Sequence, residues 1–232
     1  ATSSNIVLFL DDDVILKDGY FQNLTQFYEK FPHANGMQGT FLVDDYSELK
    51  NLFNRFFWLF NYSANEFKVY PSIQASYAQN ISEVMSCEWF SGTNFSYKRH
   101  VLAAVPFDFN LVKYSEGEDI DYSFRAFSIF GGLFVNPKCK VQHQAAITSR
   151  ELGEEFAIMQ EIYGLYLLDK LFPGSRIATS KYMFSRLGKL LIYIIEIFRL
   201  KPHAVKNLVI YIRALARSYN DRDINKFNSE IL

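Results

Sequence analysis

Two groups of carboxylates in this 232-residue chain have spacings that chemistry can use. The first is Asp11-Asp12-Asp13, which follows the apolar run Ile6-Val7-Leu8-Phe9-Leu10 without a break. A run with no polar face reads as a strand buried on both sides, as in a parallel sheet. Ligands of open α/β sheets bind beyond the carboxyl ends of strands, so the triplet stands where a site is expected. If the extended conformation persists, Asp11 and Asp13 point the same way and can hold a hard divalent cation, which favours oxygen ligands and bridges diphosphate oxygens. An Asp cluster also caps helices or fills solvated turns, and the triplet alone leaves both readings open. The second group is Gly117-Glu118-Asp119-Ile120-Asp121, followed by Arg125 and Gly131. Carboxylates in a helix's first turn are held ionised by the helix dipole, and an ionised carboxylate can take a proton from an attacking hydroxyl. The plainer alternative is that Glu118 and Asp121 cap the helix or pair with Arg125.

These groups need elements to hold them. Asp18 is expected to cap a helix carrying Tyr20, Phe21, Leu24, Phe27, Tyr28 and Phe31 at helical spacing, ended by Pro32. Met37 to Val43 reads as a second strand. Ser47 to about Asn61 reads as a helix with Leu49, Leu52, Phe53, Phe56 and Phe60 on one face. Residues 62–84 lack a clear period and read as loop. Met85 to Phe90 has strand character, and Ser91-Gly92-Thr93-Asn94 is a turn signal. A short helix near His100–Val105 stops before Pro106. A helix from Glu118 to Phe130 closes on Gly131-Gly132, and short strands follow at Leu133–Asn136 and Lys140–His143. Beyond residue 150 the pattern is wholly helical, at about 151–171, 180–200 and 203–219. The fold class expected is therefore α/β, a mixed sheet flanked by helices over 1–150, then an all-helical segment over 151–232.

With 49% hydrophobic residues, 23 Phe and 15 Tyr, the chain has ample material for a core, which argues against disorder. Cys87 and Cys139 are too few for a disulfide framework and lack zinc-ligand spacing, so they read as reduced thiols of a cytosolic protein. Neither a secretory leader nor a spanning apolar run is seen; Leu190 to Phe198 is interrupted by Glu196. The net charge of −1 conceals an asymmetry: residues 1–174 hold 13 Lys/Arg against 21 Asp/Glu, while residues 175–220 hold 9 against 1. An acidic part suits metal and hydroxyl chemistry, and a basic part suits an anionic surface. The apolar positions Val205, Leu208, Val209, Ile212, Leu215 and Ala216 fit packing on a core, on a partner subunit in a homo-oligomer, or on an anionic membrane. The location expected is cytoplasmic or peripheral on the inner membrane face; no nucleic-acid partner is expected.

Taken together, the motifs resemble those of family-2 glycosyltransferases with the GT-A fold, a Rossmann-like architecture. Phe9-Leu10-Asp11-Asp12-Asp13 is similar to the family's Asp-x-Asp motif. Trp89-Phe90-Ser91-Gly92-Thr93-Asn94-Phe95-Ser96-Tyr97-Lys98-Arg99 resembles its acceptor-side strand and turn. Phe107-Asp108, followed by Gly117-Glu118-Asp119-Ile120-Asp121-Tyr122-Ser123-Phe124-Arg125, resembles its Glu-Asp motif and helix. The likeness covers roughly residues 5–145. It implies transfer of a sugar from a nucleotide-sugar donor to a glycan or lipid-linked acceptor by metal-assisted inverting displacement, with Mn²⁺ or Mg²⁺. Asp13 would bind the metal, Asp11 would lie near the ribose or a metal-bound water, and Asp12 would sit among the donor contacts. Asp119 would be the general base and Glu118 would orient the acceptor. Gly92 and Asn94 would shape the donor-sugar wall, with Trp89 and Arg125 among the binding residues. His143 stands where some members carry a metal-ligating His; a hydrogen-bonded histidine at a strand end is the plainer alternative.

The departures also carry expectations. Family members have two or more β–α units before the Asp-x-Asp strand, and those units hold the nucleotide base. Only a few residues precede the strand here, so the resemblance implies an N-terminally truncated chain, inactive alone. A sugar-nucleotide pyrophosphorylase is disfavoured because its Gly-rich basic loop is not seen. A non-catalytic interaction module is the rival from another class: the missing units favour it, and intact Asp13 and Asp119 oppose it.

Overall fold

The computed structural model describes residues 4–41, 47–63, 65–143 and 153–232. Its centre is a six-stranded mixed sheet. Strands β1 (Ile6–Leu10), β2 (Val14–Leu16) and β3 (Gly36–Phe41) alternate with helix α1 (Tyr20–Lys30). Helix α2 (Glu48–Phe56) and a small parallel pair, β4 (Asn61–Ser63) with β5 (Ser76–Ala78), come next. Strands β6 (Met85–Ser86) and β7 (Asn94–Lys98) precede helices α3 (Arg99–Ala104) and α4 (Glu118–Phe130) and the long strand β8 (Leu133–His143). The sheet order is β1-β7-β3-β8-β2, with β6 also on β8; only β3 and β8 run parallel, and the other pairs are antiparallel. Helices α5 (Glu154–Leu171), α6 (Arg176–Phe198), α7 (Ala204–Asn220) and α8 (Ile224–Ile231) complete the chain. The expected α/β class with a trailing helical segment is what is found; the expected boundary near residue 150 lies outside the described residues.

Several elements differ from expectation for physical reasons. β1 is a half-buried strand at one edge of the described sheet, antiparallel to β7, rather than one buried on both faces within a parallel sheet. Helix α1 starts from Gly19 in the left-handed region (φ 77°), where glycine carries no steric penalty, and no side chain caps it, Asp18 included. Tyr20, Leu24, Phe27 and Tyr28 are buried as expected, but Phe21 is exposed. The α2 face is reversed. Leu49, Leu52 and Phe56 face solvent, while Phe57 and Leu59, just past the helix end, enter the core. The expected second strand ends in the described part at Phe41, and residues 42 and 43 lie outside it. The strand expected at 85–90 is paired only at Met85–Ser86, and residues 62–84 hold the β4–β5 pair. The two strands expected after α4 are one, because a register shift opposite Gln38–Thr40 lets β8 continue past Pro137.

Two hydrophobic cores sandwich the sheet. On one face Tyr20, Leu24, Phe27 and Tyr28 of α1 pack with Met37, Cys139 and Val141. On the other, Trp89, Phe90 and Tyr97 pack with Tyr122 and Ala126 of α4 and Leu133 and Val135 of β8. A third core joins α5, α6 and α8. Both cysteines are buried and unbridged. The chain crosses closely at Gly39: a Cβ there would lie 2.1 Å from the Cys139 carbonyl oxygen and 2.2 Å from Asn94 Oδ1. Gly39→Ala is therefore expected to destabilise the chain by about 1–3 kcal/mol in urea unfolding. A wild-type midpoint would refute this account of the crossing.

Candidate active site

Helix α4 separates the two aspartates of its motif. Residues two apart on a helix point roughly 200° apart, so Asp119 and Asp121 face opposite sides. Asp121 turns into the protein, 1% exposed, where Arg125 Nη2 reaches it at 2.6 Å and Lys170 Nζ, from α5, at 2.7 Å. Lys170 also pairs with Asp108, and Arg125 donates to the Pro106 carbonyl. Arg125 is thus bound into a buried ion network rather than lining a cavity.

Asp119 faces the other way. Its Oδ1 accepts the Ile120 N–H at 2.8 Å, and the Gly92 N–H also supports the carboxylate. It sits where two cavities meet. The smaller, about 250 Å³, is lined by Leu10, Asp11, Gly92, Glu118 and Asp119, with Phe9, Phe107 and Tyr122 among its aromatic walls. The larger, about 520 Å³, joins Asp119, Glu116 and Trp89 to Gln160 of α5 and Arg186, Lys189 and Tyr193 of α6. Burial is the main cause that lifts Asp119 from its ordinary value near 3.8 to about 6; Glu116 and Glu118 raise it further, and the two N–H donors pull it back.

The Asp triplet is not an extended run. β1 ends at Leu10, the chain turns through Asp12 and Asp13, and β2 begins at Val14. The period-two argument for Asp11 and Asp13 therefore does not apply. Asp11, whose N–H donates to the Thr93 carbonyl, lines the smaller cavity; Asp12 is exposed and Asp13 is half-buried. Strand pairing sets His143 opposite Val14, which brings its backbone beside the end of the triplet. Its side chain lies outside the described part. Among the described residues, no three His, Cys, Asp or Glu side chains converge as a metal cage.

The structure thus gathers Asp11, Gly92, Glu118 and Asp119 around one cavity, and Trp89 and Asp119 around the next. Asn94 belongs to the core: it is fully buried, and its Oδ1 accepts from the Tyr20 hydroxyl at 3.3 Å. Trp89 is held by an indole N–H donated to the Ser76 carbonyl at 2.9 Å. Sequence reasoning missed the α6 contribution. Lys189 touches Gln160 and Glu161 at 3.1 Å each, and Arg186 reaches Glu161 at 3.0 Å. Burial would raise the Glu161 carboxylate, but these two cations hold it below its usual range. The only sequence signal for this cluster was a Lys and an Arg three apart within an apolar helix.

No family model and no curated protein matches the chain. Among solved structures it is similar to a crystal structure of GalNAc-T7 with UDP, GalNAc and Mn²⁺, with a TM-score of 0.44 and 12% sequence identity. That similarity covers 85% of this chain and 42% of the other, so this chain spans less than half the length of the structure it matches.

The raised Asp119 carboxyl has a consequence for stability. Between about 4 and about 6 the folded chain holds this proton more tightly than the unfolded chain, so stability falls as pH rises through that window. Asp119→Asn removes the buried charge and is expected to stabilise the fold by about 1–3 kcal/mol at pH 7, with the gain vanishing below about pH 4. Urea unfolding at both pH values measures it; a gain independent of pH would contradict the assignment.

Proposed function

We propose that this chain forms the metal- and acceptor-binding part of a nucleotide-sugar-dependent glycosyltransferase. The observation that carries the reading is Asp119, a carboxylate lifted towards neutrality at the junction of two cavities, one of them bordered by Asp11. The motif resemblance to family-2 enzymes with the GT-A fold supports the same reading. In it, the smaller cavity takes the donor sugar, and the open space in front of Gly92, where a Cβ would meet nothing within 4 Å, leaves room for it. The larger cavity takes the acceptor, between the Trp89 and Tyr193 rings and the polar Glu116, Gln160 and Lys189. Helices α5 and α6 then contribute to the acceptor site, within a C-terminal extension of the catalytic part.

Asp119 accepts the proton of the acceptor hydroxyl. The acceptor oxygen bonds to the anomeric carbon as the bond from that carbon to the diphosphate oxygen breaks, inverting the centre and releasing a nucleoside diphosphate. Glu118, beside Asp119 in the same cavity, helps to orient the hydroxyl. Asp11 and Asp13 supply hard oxygen donors but too few for a closed shell, which suits a Mg²⁺ or Mn²⁺ ion completed by the donor's own diphosphate. Such an ion, when bound, would offset the charge developing on the leaving group.

With a sugar nucleotide, Mn²⁺ and acceptor supplied to the protein that carries this chain, Asp119→Asn should lower transfer by about 10²–10⁴-fold with nucleoside diphosphate affinity nearly unchanged. Gly92→Leu should preserve the fold and lose sugar-nucleotide binding. In the parent, the acid limb of the rate profile should fall near pH 6. An Asp119→Asn protein retaining more than about a tenth of the parental rate would remove Asp119 from the role.

A further inference from the structure

Helices α6 and α7 form an antiparallel hairpin: Tyr193 and Tyr211 lie 5.1 Å apart, and the Tyr211 hydroxyl donates to the Arg186 carbonyl at 3.1 Å. Each helix buries one face. On α7 the buried positions are Ala204, Tyr211, Ala214 and Ser218. The exposed face of α7 carries an apolar stripe beside Lys206, Arg213 and Asn220. Val205, Val209, Ile212 and Tyr219 follow helical spacing along it, all exposed. Leu187, Ile195 and Phe198 continue an exposed apolar stripe on α6, and Tyr219 touches Met183, which joins the two stripes. Exposure is greatest at the turn between the helices, 82% at Phe198 and 89% at Leu200.

Cations surround this face. Residues 175–220 carry 9 Lys/Arg and 1 acidic residue, and Arg199, Lys201, Lys206 and Arg213 are all exposed. Among the described residues, Arg199, Lys201 and Lys206 form no ion pair, while Arg213 meets Glu154 at 3.4 Å. A second copy seated on the same face would bring two strongly cationic surfaces together, which like-charge repulsion opposes. No described helix is long and apolar enough to cross a membrane. An apolar stripe with a basic border, on helices that are not apolar enough all round to span, has the chemistry of a helix lying in a lipid interface.

We infer that the α6–α7 hairpin docks on an anionic lipid bilayer. Phe198 and Leu200 enter the headgroup–acyl boundary first, Val205, Val209 and Ile212 lie along it, and Arg199, Lys201 and Lys206 meet the lipid phosphates. This inference does not depend on the catalytic reading.

The test is co-sedimentation of the full chain with vesicles of phosphatidylcholine alone or mixed with phosphatidylglycerol. Binding to the mixed vesicles should exceed binding to phosphatidylcholine by at least about tenfold and collapse in 1 M salt, where the Debye length is about 3 Å. The double substitution Phe198→Glu with Leu200→Glu, at positions too exposed to disturb folding, should cut binding by about tenfold or more. Lys201→Glu with Lys206→Glu should do the same through charge alone. Equal binding to both vesicle types, or binding unmoved by either pair, overturns the inference. So does concentration-dependent dimerisation that the same substitutions abolish while vesicle binding is absent.

Discussion

The buried contact between Asp121 of α4 and Lys170 of α5 governs how the rest of this molecule is arranged. Lys170 bridges Asp121 and Asp108, and Arg125 closes the network from the same helix as Asp121. Two carboxylates and two cations compensate one another where an isolated charge would be costly, so loss of either partner leaves a buried charge uncompensated. The network sets α4 against α5, and the fit there is close: a Cβ on Gly117, whose φ is 86°, would come within 2.7 Å of Leu167. With α4 held this way, Asp119 has one place to go, the junction behind the Gly92 turn. The ion-paired carboxylate and the cavity-lining one thus sit two residues apart, and helix geometry assigns each its side.

Two parts of the chain of opposite charge meet at this junction. The acidic sheet part supplies Asp11, Glu116, Glu118 and Asp119, and the basic helical part supplies Arg186 and Lys189. Arg186 and Lys189 do not leave the larger cavity strongly cationic, because Glu161 behind them takes up one of the two charges. A wall with balanced donors and acceptors beside Trp89 and Tyr193 suits a polyhydroxylated ligand better than a strongly charged one. The cationic excess lies instead on the outer side of the hairpin, at Arg199, Lys201 and Lys206.

Much of this was legible in the sequence. Helix α4 was read to the residue because Gly117 and Gly131 bracket it, and both adopt positive φ. The carboxylates of the smaller cavity were legible because they follow a strand end and open a helix. Strand β7 was legible only through the motif resemblance, because its buried polar residues hide the apolar pattern: Ser96 Oγ lies 3.0 Å from the Tyr28 hydroxyl, and Asn94 is bonded to Tyr20. The direction of the α2 face was also hidden, since spacing shows that Leu49, Leu52 and Phe56 share a side but not what that side meets. Helix α8 was passed over although Asp223 caps it, accepting the Asn225 N–H at 2.9 Å, because eight residues give too few turns for a period to show. The α6 wall came from residues some seventy positions beyond Asp119, and no local pattern announces such a meeting.

If the Asp triplet and the α4 motif serve one bound donor, Mn²⁺ with a nucleoside diphosphate must sit within reach of both. Paramagnetic broadening of amide resonances by Mn²⁺ with a nucleoside diphosphate tests this most directly. Broadening should centre on the Asp11–Asp13 turn, reach the Gly92 and Asp119 amides, and be lost in Asp13→Ala. Broadening centred elsewhere, or unchanged by Asp13→Ala, would contradict it.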